Sequence, residues 1–260
     1  MKEPYIHTDH LSIGYKHPLA KEISVDLYPG HVTTLVGGNG IGKSTLLRTL
    51  SGELPPKSGT VQIMGKDVAR IPKRQLAKEL SVVDTSTGMS GGLRVRQFVE
   101  LGRQPYTGIF GFLKGEDRDL CECAMRDAGI SHKSECYIAE LSDGERQKAM
   151  IARALAQDTA IMFLDEPFSF LDPAARLEIM DMLNKIASEK RKAILLTCHD
   201  VALCLRMASR IWLFLHDGRL LDLTPAEAVA ANLLEGLYVS DKVRFSPQIG
   251  DYVIDYQNNK

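Results

Sequence analysis

One octapeptide constrains this chain more than anything else in it. Gly37-Gly38-Asn39-Gly40-Ile41-Gly42-Lys43-Ser44 fits G-x-x-x-x-G-K-[ST] in full, directly after the apolar run VTTLV and directly before the helical run TLLRTLSG. Such a loop needs a strand to enter it and a helix to leave it. Its glycines let successive backbone N–H groups turn inward, and the helix dipole adds positive potential where they converge. Lys43 can then reach the β- and γ-phosphates of a nucleotide, and Ser44 can offer its hydroxyl to Mg²⁺. A glycine-rich turn with an accidental lysine would not need this strand–loop–helix setting. The chain is therefore expected to bind a nucleoside triphosphate on an α/β scaffold.

The remaining pattern agrees with that scaffold. Val32–Val36, Ile161–Leu164 and Ala193–Thr197 are continuous rather than alternating runs, as expected for parallel strands covered on both faces, and helical segments separate them. Gly59–Met64 with Gly65-Lys66, and Arg210–Leu215 with His216-Asp217-Gly218 and Arg219–Leu223, predict hairpins. Residues from about 90 to 140 predict a helical insert. After about 225 a helix opens at Thr224-Pro225-Ala226-Glu227, followed by short strands of weak pattern.

At 260 residues the chain is long enough for one large domain without disulfide or metal staples. Its 32 Lys and Arg nearly cancel its 33 Asp and Glu, which removes a strong basic field for nucleic acid at the whole-chain level. No apolar run approaches the ~20 residues of a membrane span, and MKEPYIHTDH has no apolar signal core, so a cytoplasmic location is expected. The five cysteines show no C-x-x-C pair and no zinc spacing, and are read as small hydrophobes.

A second site lies at the end of another strand. Ile161-Met162-Phe163-Leu164-Asp165-Glu166 places two carboxylates at a carboxyl strand end, where open α/β sheets bind ligands. Asp165 suits Mg²⁺, directly or through water, and Glu166 suits a general base for an attacking water. The strand AILLTC likewise ends at His199, a candidate contact for the γ-phosphate. Leu141-Ser142-Asp143-Gly144-Glu145 precedes the helical run KAMIARALAQ. Ser142 and Glu145 form a capping box, and a capped helix start is also a phosphate site.

Taken together, GGNGIGKS, LSDGE, IMFLDE, the stretch Ser169-Phe170-Leu171-Asp172 and His199 resemble the ATP-binding-cassette (ABC) ATPases, over roughly residues 9–223. The resemblance implies a P-loop NTPase core with a parallel sheet, an N-terminal antiparallel β-subdomain and an ABC-specific helical subdomain. Residues 1–225 would form the ATPase domain, with the helical part at about 90–140, and 226–260 its C-terminal extension. It implies Glu166, His199 and Lys43 as catalytic residues, and ATP contacts at Tyr15 (adenine), Gly37 to Ser44 and Thr45. Mg²⁺ would be held by Ser44 and Asp165. Leu141, Ser142, Asp143, Gly144 and Glu145 would contact the ATP of a second copy. Because each motif occurs once, two chains would pair head to tail, with Ser169 and Asp172 at the shared interface.

Two departures from the family pattern stand out. Asp143 replaces a glycine, and its carboxylate is expected to face solvent or a basic neighbour. At the end of the strand LSVVDTS the family carries a glutamine. Here the position falls on Thr85, preceded by Asp84, while Gln97 is assigned to the next helix. Leu101-Gly102-Arg103-Gln104-Pro105-Tyr106 looks like a stretch of the importer ATPases for iron-siderophores, haem and cobalamin. That branch implies a peripheral subunit on the inner face of the membrane, working with two permease subunits and, indirectly, a substrate-binding protein. A groove over residues about 84–110, with Phe110 and Phe112 nearby, would receive the permeases. The alternatives are a soluble non-transport ABC ATPase, disfavoured by the absence of a coiled-coil insert or charged linker, and a low-turnover nucleotide switch, which the missing glutamine keeps open.

Overall fold

The structure, a computed structural model, describes residues 3–84, 92–108, 111–237 and 242–254. In chain order its strands are β1 (Ile6–Gly14), β2 (Pro18–Ile23), β3 (Asp26–Leu27), β4 (Val32–Gly37), β5 (Ser58–Ile63), β6 (Lys66–Asp67), β7 (Leu80–Asp84), β8 (Ile161–Asp165), β9 (Ala193–Thr197), β10 (Arg210–Phe214), β11 (Leu220–Leu223), β12 (Val243–Ser246) and β13 (Asp251–Ile254). Its α-helices are α1 (Lys43–Leu50), α2 (Lys73–Glu79), α3 (Val95–Glu100), α4 (Gly115–Asp127), α5 (Asp143–Ala156), α6 (Pro173–Lys190), α7 (Val201–Met207) and α8 (Pro225–Ala230).

The central sheet runs β11-β10-β4-β9-β8-β7, parallel except for β11, which hairpins back onto β10. Its strands β4, β8 and β9 are buried almost end to end because each face meets its own core. Leu35, Phe163, Leu195 and Trp212 join one core with Leu46 and Leu50 of α1 and Ile6, Leu11 and Ile13 of β1. Val36, Leu164, Leu196 and Leu213, one residue out of phase, join a second core with α5, α6 and α7. The period of two along a strand thus divides the molecule into two layers. Each fully buried side chain of this size contributes about 1.5–3 kcal/mol. The antiparallel sheet over the first core is β2-β1-β5-β6, with β3 also on β1; the predicted hairpin at Gly65-Lys66 is its β5–β6 edge.

In the predicted insert α3 and α4 pack on α5. Phe98, Cys121, Met125 and Ile151 lie inside the second core. Cys121, Cys198 and Cys204 are buried, and burial pushes the Cys121 thiol up to about 11, which keeps it protonated and inert. The tail starts as the sequence suggests, with Thr224 and Glu227 capping α8 reciprocally. Leu234, Leu237 and Phe245 then return to the second core. The β12–β13 hairpin is braced by Phe245 and Tyr252, ring centroids 5.5 Å apart and edge-on.

Candidate active site

β4 ends at Gly37, and the chain turns through Gly42 (φ 116°, ψ 15°) into α1. Side chains other than glycine avoid that region, so the turn depends on the missing Cβ. The first turn of α1 carries no acidic residue, which leaves its N–H groups and positive dipole end available to an anion. Lys43 is buried, and its ammonium donates to the carbonyls of Gly37 and Gly38, each at 2.9 Å. Burial lowers its pKa, against the raising influence of Glu166 and then Asp165. Those two carboxylates therefore lie within electrostatic reach of the loop lysine.

The parallel register sets the carboxylates. Asp165 at the end of β8 lies opposite Asp84 at the end of β7. From the other side Thr197, the last residue of β9, donates its hydroxyl to Asp165 Oδ1 (2.7 Å) and accepts the Glu166 N–H (2.6 Å). Glu166 sits at φ 50°, a left-handed conformation that costs a non-glycine residue of order 1 kcal/mol or more. In this pose Glu166 Oε1 accepts from His199 Nε2 (3.0 Å) and Oε2 from the Ser169 hydroxyl (3.1 Å). The His199 hydrogen bond is the main cause holding the Glu166 carboxyl below its usual range, against partial burial.

A cleft of about 300 Å³ opens here, lined by residues including Ser44, Arg48, Asp84, Asp165 and Glu166. Tyr15, 52% exposed, stands beside Arg48, which lines the cleft, and is the main cause that raises the arginine's pKa. A smaller cavity of about 150 Å³ adjoins Glu166 on the side of Ser169, Arg176 and His199. The phosphate loop, the acidic pair and His199 thus lie at the carboxyl ends of strands of one sheet, and Tyr15 approaches from the end of β1 in the other.

The family model described as ABC transporter matches residues 20–169. An uncharacterized ABC transporter ATP-binding protein of Methanocaldococcus jannaschii is 36% identical over 255 residues, covering 98% of this chain and 87% of that protein. The chain belongs to the ABC transporter ATP-binding family. The ferric enterobactin transport ATP-binding protein FepC of Escherichia coli is 34% identical, covering 88% of this chain and 85% of its own length. The hemin import ATP-binding protein HmuV of Bordetella avium is 36% identical, covering 84% and 85%. Among solved structures, cbiO1 of Clostridium perfringens, part of the ABC transporter complex cbiONQ, superposes with a TM-score of 0.79 at 26% identity, covering 96% of this chain and 98% of that one. Another, a metal-chelate-type ABC transporter in an inward-facing conformation, shares the fold with a TM-score of 0.80 at 23% identity, covering 91% and 89%. This chain is accordingly an ATP-hydrolysing ABC subunit, and its α/β P-loop core is the fold expected from the sequence.

Leu141 to Glu145 are not part of the cleft, whose lining comes from α1 and the segment just after it, and from the ends of β7 and β8. Ser142 caps α5: its hydroxyl accepts the Glu145 N–H (3.3 Å), while Glu145 Oε2 accepts the Ser142 N–H (3.0 Å). Glu145 is held below its usual range first by that backbone N–H and next by Lys133, paired at 3.0 Å. Asp143 has the basic neighbour expected for it, Arg146 at 3.1 Å, and Leu141 is buried beneath. Asp172 accepts the Ala175 N–H (2.9 Å) and starts α6, while Phe170 between it and Ser169 is 92% exposed. Thr85 and Phe110 lie outside the described residues; Phe112 is exposed. Gln97 belongs to α3, where its side-chain Oε1 accepts the Arg94 N–H (2.9 Å). Two site residues escaped sequence reasoning. Thr197 carries a hydroxyl at a strand end, and Arg48 stands one helical turn beyond Ser44. A polar side chain at each such position is the only signal the sequence offers.

Proposed function

We propose that this subunit powers uptake of an iron chelate, haem or cobalamin type of substrate through two separate permease subunits, supplied by a substrate-binding protein. The observation that carries the reading is the gathering of Lys43, Asp165, Glu166 and His199 at one sheet edge, while none of Leu141 to Glu145 lines the cleft between them. A nucleotide bound by one chain would then need the signature of a second copy, so the working unit is a head-to-tail dimer with ATP between its halves. Ser169 and Asp172 would lie where the copies meet. The named relatives supply the substrate class: ferric enterobactin transport and hemin import are what those proteins are named for. No helix among the described residues is long and apolar enough to cross a membrane, consistent with a peripheral subunit on the inner face, bound to permeases.

The site residues fit the roles assigned to them. Backbone amides of residues 37–45 and the Lys43 ammonium would hold the phosphates, with Tyr15 stacked on adenine. Ser44, Asp165 and Glu166 offer only oxygen, the donor set that Mg²⁺ prefers. Among the described residues no group of three or more His, Cys, Asp or Glu could hold a metal ion by itself. The set therefore suits an ion that arrives with its nucleotide, held by Ser44 and by Asp165 directly or through water; bound there, it would neutralise phosphate charge. Glu166, already ionised and oriented by His199, takes the proton of the attacking water. The decisive experiment is Glu166→Gln. Size-exclusion chromatography with light scattering should detect a stable dimer with ATP and a monomer with ADP, and hydrolysis should fall by a factor of about a hundred or more. Wild-type turnover in the variant would remove Glu166 from its role. A monomer with ATP would remove the sandwich. For the transport reading, co-purification from membranes should recover a permease, and ATPase activity of that complex should respond to one of the three substrate classes.

A further inference from the structure

The phosphate loop is touched from the side by a residue that belongs to none of the motifs. β10 runs parallel to β4 with Phe214 opposite Gly37, so the chain leaving β10 passes the start of the loop. There the His216 ring faces Gly38. An alanine Cβ at Gly38 would stand 3.2 Å from His216 Cε1 and 3.7 Å from both His216 Nε2 and the Leu237 carbonyl oxygen. The imidazole is itself tethered, with Nε2 donating to that same Leu237 carbonyl at 3.0 Å. Leu237 is 1% exposed and closes a helical turn, Glu235–Leu237, in the C-terminal extension. That turn is tied to the terminal hairpin: the Tyr252 hydroxyl donates to the Leu234 carbonyl (2.5 Å) and the Phe245 N–H to Glu235 (3.1 Å).

These contacts form a connected path from hairpin to turn to imidazole to loop. Its far end matters because the Gly38 carbonyl is one of the two that hold the Lys43 ammonium. A ring fixed by its hydrogen bond blocks outward movement of the Gly38 peptide, and with it a change in the lysine's position. We propose that His216 is a positioning residue for nucleotide binding, through which the C-terminal extension holds the phosphate loop in its receiving shape. The inference rests on the reading of this loop as the ATP site. It gives the extension a role in ATP affinity rather than in the chemical step.

The test compares the full-length parent with His216→Ala, His216→Gln, Tyr252→Phe and the double variant His216→Ala/Tyr252→Phe. The probe is N-methylanthraniloyl-ATP, titrated by fluorescence, alongside steady-state ATPase. His216→Ala should raise Kd and KM by about threefold to tenfold, the range one net hydrogen bond carries, with kcat within about twofold. Gln retains an N–H donor for the Leu237 carbonyl and should recover most of the loss. Tyr252→Phe should weaken binding less, and add nothing in the His216→Ala background, since both act along one path. Amide exchange over residues 37–44 should quicken in His216→Ala, a change that a purely global loss of stability would not confine to the loop. If the parent binds the probe and His216→Ala binds equally well, or if Gln is as weak as Ala, the inference is wrong. A parent that binds no nucleotide would overturn the ATP assignment itself.

Discussion

Replacing Arg103 with methionine should unfold the helical insert well before the rest of the molecule. Arg103 follows α3, and its side chain is 6% exposed, against 12% for its partner Asp117 in α4. Its Nε donates to Asp117 Oδ1 (2.9 Å) and its Nη1 to the carbonyl of Ala156 at the end of α5 (2.8 Å). The guanidinium also lies 3.9 Å from the centre of the Tyr106 ring. One side chain thus ties together α4, the end of α5 and the GRQPY turn. Outside it, Arg74 donates to the carbonyls of Pro105 (3.2 Å) and Thr107 (3.1 Å), joining the turn to α2. Methionine fills comparable volume but leaves the buried carboxylate without its paired guanidinium, keeping only the Lys114 N–H (2.9 Å) and the weaker pull of that lysine's charge. Stranding one charge of a buried pair costs about 3–5 kcal/mol, a large share of the 5–15 kcal/mol typical of a whole domain.

The assay follows urea unfolding by two signals. Trp212, the single tryptophan, is fully buried on β10 in the core that faces the antiparallel sheet, so its fluorescence reports the centre of the molecule. Circular dichroism at 222 nm reports all helices. In the parent the two curves should nearly coincide, and in Arg103→Met the helical signal should fall first. Arg103→Met/Asp117→Leu removes the stranded charge and should recover most of the loss. The pH dependence has a defined sign. Asp117 is held below the usual carboxylate range, first by the Lys114 N–H and then, against burial, by Arg103. Its contribution is present above the unfolded value and disappears as pH falls through the depressed one. The gap between variant and parent should therefore narrow in acid, where Asp117 is neutral in both. A loss below about 1 kcal/mol for Arg103→Met, or a double variant as unstable as the single, would refute the clamp.

Two further outcomes follow from the acidic pair. His199→Ala removes the main cause of the depressed Glu166 pKa, so the acid limb of kcat/KM should move to higher pH; an unmoved limb would detach His199 from the base. Thr197→Val keeps the shape but leaves the Glu166 N–H and Asp165 Oδ1 without their shared hydroxyl, and should lower kcat by about tenfold or more at a stability cost of about 1–3 kcal/mol. Equal turnover in that variant would show that the hydroxyl does not orient the pair.

What could be read from the sequence is what neighbours in the chain determine. The phosphate loop is eight consecutive residues with a strand before and a helix after, and the carboxylates and His199 each end an apolar run. The α5 cap is a four-residue pattern. Thr197 was a plain strand residue until the parallel register of β8 and β9 set it beside Asp165, and Arg48 was a helix residue until Tyr15 arrived from another sheet. Such contacts depend on tertiary pairing and leave no periodic trace. The terminal strands were hard to place for a related reason: in β12 only Phe245 and Ser246 are buried, too short a stretch for alternation to register.

GRQPY carries the most instruction. Read along the chain it resembles a family marker, or a helix end that turns the backbone, and an arginine there would ordinarily be solvated. Its buried partner stands fourteen residues later, at a position whose acidity the sequence already explains by the start of α4. One aspartate therefore serves two structures, accepting the Lys114 N–H as a helix cap and the Arg103 guanidinium as an ion pair. Either function alone accounts for the residue, so no local pattern signals the other. The motif and the clamp are consequently one requirement of this chain, and Arg103→Lys, with no planar fork to span Asp117 and the Ala156 carbonyl together, should recover only part of what methionine loses.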